Sequence, residues 1–423
     1  MQNIKLVINE YGPIRNAELD FAPMMVFTGN SNLGKSYVNY LWYYFISSFT
    51  PVVLSEFMAP KMVADEDVEE ISFKKDDLRL WINRHAESFL QKLLNDNSLV
   101  CNVNFIFDIE DEINIKVEKV IAQRGNNAED YVLYRVSINE TEAMVFPDFF
   151  GLKDAAVYTL SGYLQQKLFD SSYKAVILPP ARGSLVGENF SVKDKVSRSS
   201  GLYANFLQDY DFALRSVWGS GSDEQFFNAR IKKLVGGELK TKEGIQYLEL
   251  PTGRSLPLSA AASSIRELSP LLFFLKNHYG TNVSFCLEEP EAHLHPQMQV
   301  DVADMLAICL NKGYLFQITT HSDYMMQRFN QLFKLGALKE KDNNLFEEYA
   351  QKNSLNKDTY LDKNIVKGYY FSHGENGVVV ITQLKITDDG LPMSTFFDIV
   401  TELSRRDDDI DALLDNTKSA GQC

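Results

Sequence analysis

The first 28 residues contain three short apolar runs of the kind that form strands. A turn signal at Tyr11-Gly12-Pro13 separates the first two runs, and the third extends from Met24 to Thr28. An apolar and aromatic run from Ser36 to about Phe49 follows and predicts a buried helix. Residues 55–98 are mostly charged at helical spacing, so we expect further helices there.

Residues 103–117 change the period of the pattern from helical to two. Apart from Asp111, the odd positions are apolar: Val103, Phe105, Phe107, Ile109, Ile113, Ile115 and Val117. Because alternate side chains of a strand lie on one face, this pattern predicts a half-buried strand or a hairpin. The alternation continues from Val132 to Ile138, after a turn signal that begins at Gly125.

The rest of the chain alternates strands with helices. Ala175 to Pro180 predicts a strand, residues 185–240 predict a mostly helical insertion, and Pro251 to Gly253 predict the turn of a hairpin. The helix SSIRELSPLLFFLKNHY, the strand VSFCL, the helix QMQVDVADMLAICL and the strand YLFQITT follow in that order. Buried strands that alternate with helices indicate an α/β fold.

Length and composition fit a packed globular protein with more than one folding unit, since 45% of the 423 residues are hydrophobic. The net charge of −15 gives no indication of a protein that coats nucleic acid. A local basic face would still permit nucleic-acid binding, and residues 191–198 and 228–234 are the candidates for it.

We predict a cytoplasmic protein without a membrane segment. The N-terminus lacks the pattern of a signal peptide, and the uncharged span from Ser36 to Ser55 is interrupted by Pro51, which favours a buried core helix. The absence of CxxC pairing indicates a reducing compartment. The cysteines are Cys101, Cys286, Cys309 and Cys423.

The octapeptide GNSNLGKS matches the phosphate-loop pattern G-x-x-x-x-G-K-[ST], with an apolar strand before it and a helix after it. Backbone N–H groups of such a loop converge on phosphates at a helix N-terminus. We expect Lys35 to contact the β- and γ-phosphates and Ser36 to contact Mg²⁺. The predicted ATP-binding residues here are Gly29, Asn30, Ser31, Asn32, Leu33, Gly34, Lys35 and Ser36.

Two adjacent carboxylates, Glu288 and Glu289, end the strand VSFCL, at the sheet edge where α/β proteins bind ligands. We expect one to organise Mg²⁺ and the other to polarise the attacking water. His321 ends the next strand and is placed to reach a γ-phosphate. Solvated acids at a strand end are one alternative. A zinc site that uses His293 and His295 is another, but it lacks a third ligand at a recognised spacing.

These motifs together resemble the ABC-type ATPase heads of the SMC/RecF superfamily, and most closely the overcoming-lysogenisation-defect (OLD)-like ATPases. The resemblance rests on IKLVINEYGPIRNAELDF before the phosphate loop, LPPARG at residues 178–183, EEPEAHLHP and THSDYM. It implies that Glu288 organises Mg²⁺, that Glu289 is the catalytic base and that His321 is the switch histidine. It also implies that LSAAASSIREL holds the signature position, where Ser263 and Ser264 would meet the γ-phosphate bound by a second subunit.

The resemblance implies an α/β P-loop NTPase fold, an ABC-type ATPase head with an antiparallel β lobe and a mostly helical insertion. We expect the ATPase core at residues 1–50, 170–185 and 245–400. Residues 51–170 would form a helical and β-hairpin insertion, residues 186–244 a helical insertion, and residues 401–423 an acidic tail.

Three functions from different classes remain open. The first is an ATPase that dimerises or forms a higher homo-oligomer through ATP and gates a separate nuclease or toxin, as in anti-phage systems of the Septu and PARIS kinds. This is favoured because about 100 residues after His321 contain no convincing TOPRIM nuclease motif. The second is a DNA-clamp ATPase of RecF type, which the acidic charge disfavours. The third is an ATP-binding scaffold with little hydrolysis, since Ser264 replaces the glycine common in the signature.

Overall fold

A nine-stranded mixed sheet forms the centre of the computed structural model, with smaller sheets of four and three strands beside it. The structure describes residues 3–62, 68–122, 131–139, 141–186, 200–215, 222–242, 244–277, 282–393 and 401–411. The predicted turn at Gly125, the basic stretch 191–198 and residues 412–423 lie outside these ranges.

The strands are numbered in chain order. They are β1 (Lys5–Tyr11), β2 (Ile14–Asp20), β3 (Met24–Gly29), β4 (Val68–Lys74), β5 (Cys101–Ile106), β6 (Glu112–Ala122), β7 (Tyr131–Ile138), β8 (Met144–Pro147), β9 (Lys174–Leu178), β10 (Glu238–Lys242), β11 (Ile245–Glu249), β12 (Ser255–Pro257), β13 (Val283–Glu288), β14 (Leu315–Thr319), β15 (Val366–His373) and β16 (Val379–Leu384).

The helices are numbered in the same way. They are α1 (Lys35–Ser47), α2 (Pro51–Met58), α3 (Lys75–Leu94), α4 (Gly151–Phe169), α5 (Arg182–Val186), α6 (Gly201–Arg215), α7 (Ser222–Val235), α8 (Ser263–Asn277), α9 (Pro296–Asn311), α10 (Asp323–Lys341) and α11 (Asn343–Lys352). Residues 401–411 are also helical.

The large sheet has the strand order β5-β1-β2-β16-β15-β3-β14-β13-β9. Strands β15, β3, β14, β13 and β9 are parallel neighbours, so their carboxyl ends lie at one edge of the sheet. Strands β13 and β14 are buried along their whole length, as expected for parallel strands covered on both faces. The α/β fold class is therefore confirmed, together with the antiparallel lobe and the mostly helical segment of α6 and α7.

The segment with period two does not form one hairpin. Strand β5 pairs antiparallel with β1 in the large sheet, whereas β6 pairs with β4 and β7 in the four-stranded sheet. Apolar and polar residues alternate through both β5 and β6, because each of these strands buries one face. The domain division stays a prediction, but β5 joins the central sheet although it lies inside residues 51–170.

Several strands, among them β4 and β10, were missing from the sequence prediction. Strand β4 lies within residues 55–98, which were expected to be mostly helical, and its four-stranded sheet packs against α4. Strand β10 precedes the predicted hairpin β11–β12 and pairs with β11. Both are short polar strands, so their charged residues mask the alternation that identifies a strand.

Helix α1 lies in the middle of the core. Its face toward the sheet contacts β13, β9 and β14, and its other side contacts α3. The Phe45 ring stacks on Phe105 of β5 at 4.6 Å between ring centroids, and Trp42 contacts the same ring edge-on at 5.9 Å. The apolar residues on all sides of α1 are thus explained by burial, as predicted. Among the described helices, none is long and apolar enough to cross a membrane.

The packing of Phe105 predicts that Phe105→Ala destabilises the protein by about 3–5 kcal/mol, because a fully buried ring leaves a cavity when it is truncated. Equilibrium unfolding in urea would measure the loss. The matched control is Ile106→Ala on the same strand, where 43% of the side chain is exposed and a change below about 1 kcal/mol is expected. Equal losses for the two variants would contradict the placement of β5 in the core.

Candidate functional site

The phosphate loop connects β3 to α1 through three residues with left-handed backbone. They are Gly29 (φ 120°), Asn32 (φ 62°) and Gly34 (φ 84°). A Cβ atom at Gly29 would collide with the main-chain carbonyl of Phe371 on β15, so glycine is required there. Asparagine tolerates the left-handed region better than most residues, which suits the backbone of Asn32.

Lys35 begins α1 and is 6% exposed. Its Nζ donates hydrogen bonds to the carbonyl oxygens of Gly29 (3.1 Å) and Asn30 (2.6 Å), which holds the ammonium over the loop. Burial lowers the pKa of Lys35 to about 8, and the nearby carboxylates Glu288 and Glu289 oppose that shift.

Glu288 lies at the end of β13 and is 1% exposed. Its Oε2 accepts hydrogen bonds from Ser36 Oγ (2.5 Å) and Thr319 Oγ1 (2.9 Å), and its Oε1 accepts one from Asn39 Nδ2 (2.7 Å). Burial raises the pKa of Glu288, and the three donors counteract that effect. The structure thus brings together the two residues predicted to hold Mg²⁺.

Sequence reasoning missed Asn39 and Thr319. Asn39 lies one helical turn after Ser36, so the i,i+3 spacing on α1 was the available signal for it. Thr319 is the last residue of β14, two positions before His321, among polar residues that follow an apolar strand. Neither signal could identify Glu288 as the hydrogen-bond partner, because both contacts join elements that are distant in the sequence.

Glu289 follows directly and has left-handed backbone (φ 43°), a strained conformation for glutamate. Its backbone N–H donates to the carbonyl oxygen of Thr319 at 3.0 Å, which ties the turn to β14. The side chain is half-buried and lines the same cavity as Lys35 and Ser36.

His321 lines this cavity as well, two residues beyond the end of β14. Burial lowers the pKa of His321, and the neighbouring Lys35 lowers it further, so the imidazole is mostly neutral at pH 7. Its backbone N–H donates to Glu291 Oε1 at 2.6 Å, and Thr320 Oγ1 donates to the same oxygen at 2.9 Å. Glu291 therefore positions the His321 segment, a role that the sequence analysis did not assign.

The shared cavity has a volume of about 760 Å³. Besides the loop, Glu289, Thr319 and His321, its wall includes the β1–β2 turn and the segment after α3. These lining residues are Glu10, Gly12, Pro13, Asp96, Ser98, Leu99 and Val100, and Tyr37 of α1 lines the cavity as well. The cavity is large enough for a nucleotide whose phosphates lie on the loop.

Ser263 and Ser264 do not line this cavity. Serines directly before an apolar helix are typical N-caps, but both serines lie inside the first turn of this helix. Helix α8 begins at Ser263, and the carbonyl of Ala262 accepts the first helical bond from the N–H of Arg266 (3.1 Å). Ser263 is exposed and Ser264 half-buried, so the first turn of α8 faces outward from the chain.

The two histidines of EEPEAHLHP lie in the loop before α9. His295 is the N-cap of α9, where its Nδ1 accepts from the N–H of Gln297 at 3.4 Å, and His293 has left-handed backbone (φ 63°). Within the described ranges, no group of three or more His, Cys, Asp or Glu side chains is arranged to hold a metal ion. Ser36 and Glu288 still suit Mg²⁺, since this ion keeps several waters and takes other ligands from phosphates.

A family model described as an AAA ATPase domain matches residues 158–326. The match includes Arg182, Ser263, Ser264, Glu288, Glu289 and His321, but the phosphate loop precedes it. This match supports the predicted ATPase class. No match was found among the curated proteins.

Three solved structures of SMC heads are similar to this chain over most of its length. An Smc head bound to the C-winged helix domain of ScpA is 13% identical, with 91% of this chain and 97% of that chain covered and a TM-score of 0.40. The SMC head domain from Thermotoga maritima is 13% identical (91% and 100% covered, TM-score 0.34). An Smc head domain bound to the C-terminal domain of ScpA, from Pyrococcus furiosus, is 12% identical (96% and 100% covered, TM-score 0.38).

The lowered pKa of Lys35 predicts that ATP binding takes up a proton at about pH 8 to 9. The triphosphate favours the ammonium and raises the pKa toward the usual 10.5, so affinity should fall roughly tenfold per pH unit above pH 8. Calorimetric titration in buffers of different ionisation enthalpy measures the uptake. Lys35→Arg is the control, because its guanidinium stays protonated and the uptake should vanish. Equal uptake by both proteins would contradict the assignment.

Proposed function

We propose that this chain is a Mg²⁺-dependent ATPase whose nucleotide lies in the cavity shared by the phosphate loop, Glu289 and His321. The observation that carries the proposal is the hydrogen bond between Ser36 and Glu288, which joins the two halves of the motif at 2.5 Å. The ATPase-domain match over residues 158–326 supports it from the sequence.

Each residue of the site has a distinct task in this proposal. The backbone of residues 29–36 and the cationic form of Lys35 bind the β- and γ-phosphates. Ser36 and Glu288 would hold Mg²⁺, which neutralises phosphate charge when it is bound. Glu289 accepts a proton from the attacking water, and His321, mostly neutral at pH 7, contacts the γ-phosphate.

We further propose that ATP joins two copies of the chain. Ser263 and Ser264 lie at the outward N-terminus of α8 and outside the cavity of their own chain. A helix N-terminus favours an anion, and the apolar helix behind it keeps these serines in place. In the dimer they would contact the γ-phosphate held by the partner's loop, in keeping with the ABC-type resemblance.

The biological role we propose is gating of a separate effector, a nuclease or toxin, in anti-phage defence of the OLD-like kind. The four-stranded sheet and the turn beside α4 expose large apolar side chains that suit a protein partner. These are Ile121, Tyr131, Met144, Val145 and Phe149, the last 84% exposed. We place the chain in the cytoplasm, where the buried free thiols of Cys101, Cys286 and Cys309 would stay reduced.

A DNA clamp of RecF type is the alternative, and a local cluster of basic side chains favours it. Arg230, Lys232 and Lys233 lie on α7, and Lys312 lies over the ring of Phe226 on the same helix at 5.9 Å. This is the basic stretch 228–234 that the sequence singled out. The net charge of −15 opposes it.

Glu289→Gln should lower ATP turnover at least about 100-fold, because general-base catalysis contributes 10²–10⁴-fold. Affinity for ATP should change little, since the amide keeps the shape of the side chain. Phosphate release under saturating ATP measures turnover, and calorimetry measures binding. The control is Glu348→Gln, an exposed position on α11. Native turnover by Glu289→Gln would place the base elsewhere, and little hydrolysis by the native protein would favour the scaffold function.

Duplex DNA should neither bind tightly nor stimulate turnover if the gating function is right. Binding is measured by fluorescence anisotropy at about 50 and 200 mM salt, a range over which phosphate contacts weaken strongly. Salt-sensitive binding that disappears in a variant with Arg230 and Lys233 replaced by Glu would establish the clamp instead.

A further inference from the structure

Arg182 is a fully buried arginine that lies at the junction of three elements. It begins α5, four residues after the end of β9, and its exposed fraction is 0%. The Nε atom donates to the carbonyl oxygen of Glu267 (3.0 Å), and Nη1 donates to the carbonyl oxygens of Pro179 (3.0 Å) and Glu288 (2.7 Å). One guanidinium thus holds β9, α8 and the end of β13 together.

Glu267 connects this arginine to the first turn of α8. It lies one turn after Ser263 and Ser264, is 2% exposed, and places its Oε1 3.5 Å from Arg182 Nη1. Its Oε2 accepts from the N–H of Gly183 at 2.8 Å. A Cβ atom at Gly183 would lie 2.8 Å from the backbone nitrogen of Glu267 and 2.6 Å from that same oxygen, so the close approach of the two backbones requires glycine.

The backbone is strained on both sides of the arginine contact. Ala181, directly before Arg182, has a φ of 57°, and Glu289, directly after the carbonyl that Arg182 binds, has a φ of 43°. A left-handed residue other than glycine costs about 1–2 kcal/mol, so each conformation needs contacts that enforce it. The strained turn at Ala181 directs Arg182 inward, and the bond to the Glu288 carbonyl fixes the peptide that leads into Glu289.

Packing alone does not explain this arrangement. Burying an ion pair costs desolvation energy that apolar side chains of similar volume avoid. The guanidinium Nη2 also has no hydrogen-bond partner among the described residues, so part of its bonding capacity is sacrificed. What arginine supplies is a rigid planar fork that reaches several acceptors at fixed angles.

We propose that Arg182 and Glu267 form a positioning pair that couples the signature turn of α8 to the orientation of Glu289. The path runs from Ser264 through one turn of α8 to Glu267, then through Arg182 to the Glu288 carbonyl and the strained peptide of Glu289. Binding of a partner's γ-phosphate at the first turn of α8 would thereby fix the orientation of Glu289, the proposed general base. This inference rests on the proposed function, because it concerns how dimerisation activates that same site.

Glu267→Gln tests the pair with minimal change of shape. The amide oxygen still accepts from Gly183, but the attraction to Arg182 is lost. ATP affinity of the monomer should stay within about twofold, whereas turnover at saturating ATP should fall about 5- to 150-fold, the usual range of coupling between sites. The rise of turnover per chain with protein concentration, which reports dimer-dependent activation, should flatten. Arg182→Met removes the guanidinium entirely, so the folded variant should show a larger loss of turnover than Glu267→Gln.

Asp304→Asn is the matched control, since it breaks another ion pair with limited exposure, Asp304 with Arg328 (2.6 Å), between α9 and α10. It should lower the melting temperature comparably and leave turnover and its concentration dependence unchanged. The inference is overturned if Glu267→Gln keeps native turnover and concentration dependence, or if Asp304→Asn loses them equally. A native protein that neither hydrolyses ATP nor dimerises would instead refute the proposed function itself.

Discussion

The site depends on the hydrogen bonds that the buried carboxylate of Glu288 accepts. It is buried where an unpaired charge would be very unfavourable, and it is accommodated by three donors from two elements, α1 and β14. The same carboxylate therefore ties the phosphate-loop helix to the end of β14. Removing any one donor would leave the buried carboxylate of Glu288 partly without hydrogen bonds. The same group therefore contributes both to the packing of α1 and to the candidate Mg²⁺ site.

The parallel arrangement of β3, β14, β13 and β9 explains why distant segments meet at this group. The phosphate loop, His321, the two glutamates and Arg182 each follow the carboxyl end of a different strand. Where the chain must turn sharply after a strand, the backbone becomes left-handed, as at Asn32, Ala181 and Glu289. Strain is thus concentrated at the edge that carries the chemistry, while the buried strands behind it remain regular.

Motifs with local geometry could be read from the sequence. The phosphate loop, the glutamate pair and His321 each combine an apolar strand with a polar end, so the positions of all three follow from short stretches. The split between β5 and β6 could not be read, because both strands show the same alternation and only partner choice separates them. Asn39, Thr319 and Glu267 were missed for a related reason, since each acquires its role from a contact across more than thirty residues or between separate elements. The start of α8 could not be predicted either, because Ala262 supplies the capping carbonyl without a side-chain signal.

Strand β5 gives the insertion an unexpected relation to the nucleotide cavity. The segment from Asp96 to Val100 lines that cavity, continues into β5 beside β1, and then enters β6 of the four-stranded sheet. One uninterrupted stretch of chain therefore forms the cavity rim, a core strand and the centre of the exposed lobe. An exchange of the lobe would therefore have to keep β5 in register with β1, because the residues directly before β5 line the cavity.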